Sequence, residues 1–549
     1  MRCDGDRRDD ALLGAGSAPS SLLRPGQNCY RATRASRAAV LIDGDAYFRA
    51  FTQAALRATR SIVIVGWDFD SRTALHLGQP GVPDTLGEFL NFLARRRRGL
   101  QVNILVWDSP IMFSRGRERS PSYGLGWHPH AHVHFEYDNH CPVGAALHQK
   151  IVVMDAAVAF CGGLDLTRGR WDTPAHRPSD PRRKNPGEQE PYAPFHDAML
   201  AVEGESARVL HDLAGKRWRR ATGRLLARKR TRRIKGVIEK AADSSPSEVW
   251  PTSLAAEFTD LDVGIARTVP SIDGAAPIIE VRHLYLDMIA AARRCIYLEN
   301  QYFTAGALGA ALAARLAERD GPEIIVVLRL SSSDWLEARA MSTLRTLLLR
   351  RLCEADRYGR FHAYYPYTPD SSEEQGCDVH TKLMIVDDAW LRLGSANFAN
   401  RSMWLDTECD LVLEAAGVLQ ARASIAGVRD RFLAEHLEVS PQQVRHAADT
   451  TDSLSAAIEK LARSEGRTLR RFQRLDAPSE ALVAAARVAD PERPAPVNEV
   501  MTGAAAHSGG EHKDSGPRTG VAGLLGTLVA AAVRRLFRPA TDRHGPGRP

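Results

Sequence analysis

The chain has 549 residues, 44% of them hydrophobic and 25% charged, with ordinary Gly and Pro usage. That composition excludes collagen-like, coiled-coil and low-complexity classes, and at about 150 residues per domain the length suits roughly three to four domains. The formal charge is +7, but residues 216–240 alone carry +11, which leaves the remainder at −4. One local anion-facing surface is expected, and no general nucleic-acid binding.

In chain order, residues 1–37 read as a flexible arm rich in Arg, Ser and Gly. Residues 38–240 read as a first α/β domain. A helical stretch over Ala46–Thr59 leads to apolar Ile62–Val65, and another over Thr85–Arg98 leads to Val102–Trp107. Such alternation favours β-α-β units with buried strands. Residues 241–257 read as a linker. Residues 258–440 read as a second domain of the same kind, with helix Tyr285–Arg294 before Ile296–Leu298 and helix Ala305–Arg319 before Ile324–Leu328. Arg60–Ile64 and Arg294–Leu298 correspond at an offset of 234, which suggests internal duplication. Residues 441–549 read as a tail with helices at about 452–464 and 478–488, partial disorder over 502–520, and an interfacial helix over 521–538.

Eight cysteines form no C-x-x-C pair, which fits reduced thiols in a cytosolic-type compartment. The N-terminal MRCDGDRRDD has charges of both signs and is no signal peptide. The longest apolar run, Val521–Val533, has thirteen residues, short of the about 20 that a spanning helix needs. The expected location is cytoplasmic, peripheral on a membrane, with no transmembrane helix.

The chemistry sits in two clusters that both read H-x-K-x4-D: His148, Lys150, Asp155 and, 232 residues on, His380, Lys382, Asp387. Apolar residues follow each Lys, so both clusters are placed on buried strands. There His and Lys, two apart, point the same way. Lys offers three donors and a compact charge suited to phosphate oxygens. Histidine can be nucleophile, base or acid near neutrality. Two imidazoles facing one phosphorus can divide the work, one attacking and one protonating the leaving oxygen, with no metal or cofactor. Asp155 and Asp387 have the wrong parity and are expected to end a strand or anchor a turn. As the last members of the two motifs, they are still counted with the catalytic set.

Gly394-Ser395-Ala396-Asn397 follows the second cluster and Gly162-Gly163-Leu164-Asp165 the first. Aligning the strands that come next pairs Glu408 with Asp197, and a carboxylate behind each histidine would fix its tautomer. His380 to Glu408 is 28 residues and His148 to Asp197 is 49. The difference falls near 173–194, read as an inserted loop that either lies over the site and gates substrate or is a passive surface loop.

With these residues the sequence resembles the phospholipase D superfamily over roughly residues 38–438, nearest the branch shared by eukaryotic-type and related bacterial phospholipases D. Cys161–Leu166 with Arg168–Asp172, Phe195-His196-Asp197, Tyr297–Phe303, and Gly394–Asn397 with Asn400-Arg401-Ser402 carry that resemblance. It implies an α/β fold of two pseudo-symmetric lobes, each a mixed sheet flanked by helices, meeting at one active site. It implies His148 as nucleophile and His380 as general acid, Asp197 and Glu408 orienting them, and Lys150, Lys382 and Asn397 on the phosphoryl oxygens. Ser395 and Asp165 complete the expected phosphate contacts. The implied reaction is cleavage of the distal phosphodiester bond of a glycerophospholipid through a phosphohistidine, by water or by an alcohol. A cardiolipin synthase-like phosphatidyltransferase and a non-catalytic lipid- or phosphate-binding member of the fold are the alternatives. The expected partner is a phospholipid membrane surface contacted by residues 216–240 and 521–538. The chain is expected to act as a monomer.

Overall fold

A computed structural model describes residues 21–108, 118, 126–227, 246–272, 274–330, 335–369, 376–415, 417–472 and 478–492. The expectations for 502–520, for 521–538 and for most of the basic run beyond 227 lie outside these residues.

The first half contributes β1 (Arg31–Ile42), β2 (Ser61–Gly66), β3 (Gln101–Trp107), β4 (Val133–Asp138), β5 (Ile151–Met154), β6 (Val158–Gly162), β7 (Phe195–His196) and β8 (Ala198–Gly204). The second contributes β9 (Phe258–Val269), β10 (Ile278–Ile279), β11 (Cys295–Asn300), β12 (Glu323–Leu328), β13 (Phe361–Tyr367), β14 (Asp378–Val379), β15 (Lys382–Val386), β16 (Trp390–Gly394) and β17 (Glu408–Glu414), with β18 (Thr468–Arg471) after them. Outward from the centre, one half runs β1, β8, β6, β5, β2, β3, β4; the other runs β9, β17, β16, β15, β11, β12, β13. The senses match as well, antiparallel as far as β2 or β11 and parallel beyond.

The two halves are not separate sheets. β1 and β9 pair antiparallel from Arg31↔Ile265 to Ala38↔Phe258 and make one mixed sheet of 16 strands. The stretch expected to be a loose arm is therefore a central strand from Arg31 onward. Its charges had disguised it: exposed Ala32, Arg34 and Ser36 alternate there with buried Thr33 and Ala35.

Alternate strand residues feed different layers. Ile62 and Ile64 join Phe48, Phe51 and Phe89 in a core belonging to the first half. Leu298 and Val326 join Leu312 and Phe398 in its counterpart in the second. On the opposite face, Val63, Val153, Tyr297 and Ile385 share one core with Leu210 and Trp218 of helix Glu205–Thr222 and Phe432 and Leu433 of helix Leu419–Leu437. Strands buried on both faces explain the unbroken apolar runs.

The expected linker is partly core, since Val249 and Trp250 are buried with the first half. The described part of the tail is likewise built in, with Asp490 accepting from the Asn400 N–H at 3.2 Å. β18 adds to β13, and Glu323 accepts from the backbone of Leu454 and Ser455, capping helix Leu454–Leu461. The 173–194 stretch is pinned, not free: Arg183 is fully buried against Asp172 at 3.1 Å, and Arg467 donates to the Pro174 carbonyl at 2.7 Å. Among the described residues no helix is long and apolar enough to cross a membrane.

Candidate active site

The site forms where strand ends meet. β5 and β6 are an antiparallel pair with Ile151 opposite Cys161, so Lys150 lies at the end where β6 runs into Gly162. In the second half Leu383 lies opposite Leu393, which sets Lys382 beside Gly394 in the same way. Strands β8 and β17 pair with β6 and β16 at those ends, Gly162 with Met199 and Gly394 with Asp410. That brings Asp197 and Glu408 to the same level. His148 and His380 stand just before their strands, not within them as expected.

The carboxylates cross over. His148 Nδ1 lies 3.1 Å from Glu408 Oε2, and His380 Nδ1 lies 2.6 Å from Asp197 Oδ2. Backbone pairing causes the exchange. His148 N–H donates to the Thr407 carbonyl at 2.9 Å and Thr407 N–H to Ala146, which ties the first histidine to the residue before Glu408. β14 pairs with β7, and His380 N–H donates to the His196 carbonyl at 2.8 Å, which ties the second to the residue before Asp197. Each histidine is thus stitched to the acid of the other half.

The two acids are held differently. Glu408 accepts from Ser395 Oγ at 2.6 Å and from Ser402 Oγ at 2.7 Å. Among the described residues no hydroxyl reaches Asp197 in this way, since Gly163 occupies the position corresponding to Ser395. A Cβ there would stand 2.1 Å from Asp197 Oδ1. Asp197 instead accepts the backbone N–H of Ala198 at 2.7 Å.

Lys150 is buried, ion-pairs with Asp165 at 3.2 Å and donates to the His148 carbonyl at 3.0 Å. Lys382 is buried, donates to Gln301 Oε1 at 2.9 Å and stands 3.0 Å from His380 Nδ1. Burial pushes the Glu408 and Asp197 carboxyls each up to about 7. It also holds both imidazoles well below their ordinary value, with Lys150 and Lys382 adding repulsion at each. The ring of His380 is further depressed by Arg170 and by His148 itself, so the two motifs share one electrostatic site. Burial brings Lys382 down to about 7.

Asp155 and Asp387 anchor turns as their parity suggests, so their counting with the catalytic set is corrected, as is that of Asp165 and Ser395 with the phosphate contacts. Asp155 accepts the backbone N–H groups of Thr59, Arg60 and Ser61, and Asp387 those of Arg293, Arg294 and Cys295. Both have left-handed backbone (φ 54° and 53°) and clamp turns at the far ends of their strands. Neither faces the reacting groups. Asp165 is engaged as the counter-ion of Lys150 and as acceptor for Trp67 N–H at 2.9 Å, so it is not placed as a phosphate ligand. Ser395 spends its hydroxyl on Glu408. Asn397, by contrast, has a buried amide oxygen with no hydrogen-bond partner.

A family model described as "Phospholipase D" matches residues 134–312, and one described as "Cardiolipin synthase, PLD-like domain" matches 285–426. Between them they take in both histidine–lysine clusters. The chain belongs to the phospholipase D superfamily. Phospholipase D alpha 1 of Ricinus communis is 25% identical over 69% of this chain, and phospholipase D A of Dictyostelium discoideum is 23% identical over 73%. The chain spans 62% of the length of the first and 35% of the second. Among solved structures, phosphatidylserine synthase of Haemophilus influenzae aligns with 78% of this chain and 95% of its own, at 13% identity and a TM-score of 0.47.

Ser402, Gln301 and Arg170 went unassigned from sequence. All three lie in the stretches that carry the superfamily resemblance, but their roles follow only from partners far along the chain: Glu408 for Ser402, Lys382 for Gln301 and Phe195 beneath the Arg170 guanidinium at 4.8 Å. The basic run is also partly structural. Arg217 is paired with Asp138 at 2.9 Å and donates to Gln149, and Trp218 is buried.

Proposed function

We propose that this protein is a phospholipase D-type phosphodiesterase acting on glycerophospholipids. The observation that supports it most is the pair of imidazoles, each backed by a carboxylate from the opposite half, in one site with two buried lysines. His148, neutral through burial, attacks phosphorus through Nε2. The bond to the head-group oxygen breaks, and His380 gives that oxygen its proton. Water, deprotonated by His380, then attacks the phosphorus, breaks the P–N bond and releases phosphatidic acid. Lys150, Lys382 and Asn397 hold the non-bridging oxygens, and Glu408 and Asp197 orient and stabilise the rings. Burial, with cationic repulsion added to it, keeps His380 neutral in the free enzyme; the anionic phosphodiester offsets that repulsion, so substrate itself favours the protonated acid.

A second reading, transfer of the phosphatidyl group to an alcohol, is favoured by the match of the second half to the cardiolipin synthase domain model. Both readings share the phosphohistidine. The test is mass spectrometry of phosphatidylcholine or phosphatidylethanolamine incubated with the protein, with and without ethanol. Phosphatidic acid alone is expected without ethanol, and phosphatidylethanol with it. Product formation no greater than that of His148→Asn would reject both and leave a binding role. Because both clusters lie in one chain, we infer that a monomer suffices. We also infer that bilayer contact is electrostatic, through the basic run from residue 216. Liposome sedimentation should then weaken with salt and with loss of anionic lipid.

A further inference from the structure

Asp197 is preceded by a histidine that the proposed reaction does not use. His196 is fully buried, and around it stand groups drawn from four distant segments. Nδ1 of His196, Nε2 of His176, the carboxylate of Asp43 and a carboxylate oxygen of Glu435 lie within 4.8 Å of one another. Glu435 Oε1 is 2.8 Å from His176 Nε2 and 2.7 Å from His196 Nδ1. Asp43 Oδ1 is 3.1 Å from His196 Nδ1, and its Oδ2 is 3.5 Å from His176 Nε2. Ligands at zinc bonding distance in a tetrahedron stand about 3.3 Å apart. These four contacts, made through both oxygens of Asp43, fall on either side of that spacing.

The outer nitrogens add an independent argument. His176 Nδ1 meets Asp172 Oδ2 at 2.8 Å, and His196 Nε2 meets Glu299 Oε2 at 3.1 Å. Each imidazole thus has a carboxylate to take the proton of its far nitrogen and turn the near lone pair inward, as metal-bound histidines do. Those two carboxylates are themselves anchored: Asp172 accepts from Arg183, and Glu299 contacts His436. Furthermore, Asp43 Oδ2 is buried without a hydrogen-bond partner, although Asp43 is completely enclosed. An enclosed carboxylate oxygen with no donor is costly unless a cation takes it.

We propose that Asp43, His176, His196 and Glu435 form a zinc site of structural type. Two imidazoles and two carboxylates suit zinc, and all four positions come from protein, so no open position remains for substrate. The site joins the start of helix Asp43–Ala55, the 173–194 stretch, β7 and helix Leu419–Leu437. Asp43 N–H also donates to the Asp197 carbonyl at 2.8 Å, so the ion would steady the carboxylate behind His380 without touching the phosphate.

The test reads metal and stability, independently of lipid cleavage. Full-length protein is incubated with zinc, desalted and assayed by mass spectrometry of its metal content. About one zinc per chain is expected, with an X-ray absorption spectrum showing two imidazoles and no sulfur. Stripping with dipicolinate should lower Tm by a few degrees, and zinc should restore it. His176→Gln and Glu435→Gln should each lose most of the bound zinc while keeping native circular dichroism. If these variants fail to fold, the wild-type stoichiometry and absorption spectrum decide. A wild-type content near zero, or zinc retained in both folded variants, would overturn the proposal. The first result would mean that protonated histidines alone neutralise these carboxylates.

Discussion

His380, carried by the second half of the chain, is oriented by Asp197 of the first, at 2.6 Å between Nδ1 and Oδ2. The reciprocal contact, His148 to Glu408, is longer at 3.1 Å and shares its Nδ1 with the Ser395 carbonyl. Neither half contains a complete pair of catalytic imidazole and orienting carboxylate, so the site exists only when the halves, paired through β1 and β9, come together.

Removing the charge of either orienting acid should slow turnover strongly. Asp197→Asn and Glu408→Gln are each expected to lower kcat by on the order of 10²–10⁴-fold, and His148→Asn and His380→Asn by at least as much. Steady-state assay of variants with native circular dichroism checks this. Near-wild-type turnover in either acid variant would rule out the crossed arrangement as the working one.

The asymmetry behind the acids makes paired substitutions informative. Ser395→Gly removes one hydroxyl from Glu408 but leaves Ser402, so a loss of about tenfold in kcat is expected, the equivalent of roughly 1.4 kcal/mol. Gly163→Ser adds the missing hydroxyl to the other half, yet its Cβ would sit 2.1 Å from Asp197 Oδ1. That substitution should inactivate and destabilise by about 1–3 kcal/mol. A Gly163→Ser variant as active as wild type would show that the carboxylate can yield.

Asp155→Ala should separate stability from chemistry. It strips acceptors from the N–H groups of Thr59, Arg60 and Ser61, and a loss of about 1–3 kcal/mol is expected in urea unfolding. The kcat of the folded fraction should stay within a few-fold of wild type. A loss as deep as that of His148→Asn, without a change in midpoint, would return Asp155 to the catalytic set.

Activity should fall on the alkaline side of neutrality. Burial brings Lys382 down to about 7, so raising the pH through that value removes the charge that holds the phosphoryl oxygens. The profile of kcat/KM should therefore decline above pH 7, with the descending limb set by the free enzyme. A profile flat to pH 9 would exclude a required charge on Lys382.

Much of the site was legible because its residues recur in short motifs. His148, Lys150, His380 and Lys382 stand two apart beside apolar runs, and that repeated spacing marks both pairs although the histidines fall just before their strands. Asp197 and Glu408 could be found by aligning the strand endings. Asp155 and Asp387 revealed their wrong parity, and the backbone they clamp lies far from the phosphate-facing end. Arg31–Arg37 was misread because a strand that carries Arg31, Arg34 and Arg37 has the composition of a loose arm.

What the sequence by itself determined is the local chemistry: two imidazole–ammonium pairs, the buried strands behind them, and the glycines that let backbones approach. Only the tertiary structure decided which acid serves which histidine. The reason is physical. Covalent order sets the neighbours along a strand, but the partner across a sheet is chosen by backbone hydrogen bonds such as His148 to Thr407 and His380 to His196, and those join residues hundreds of positions apart.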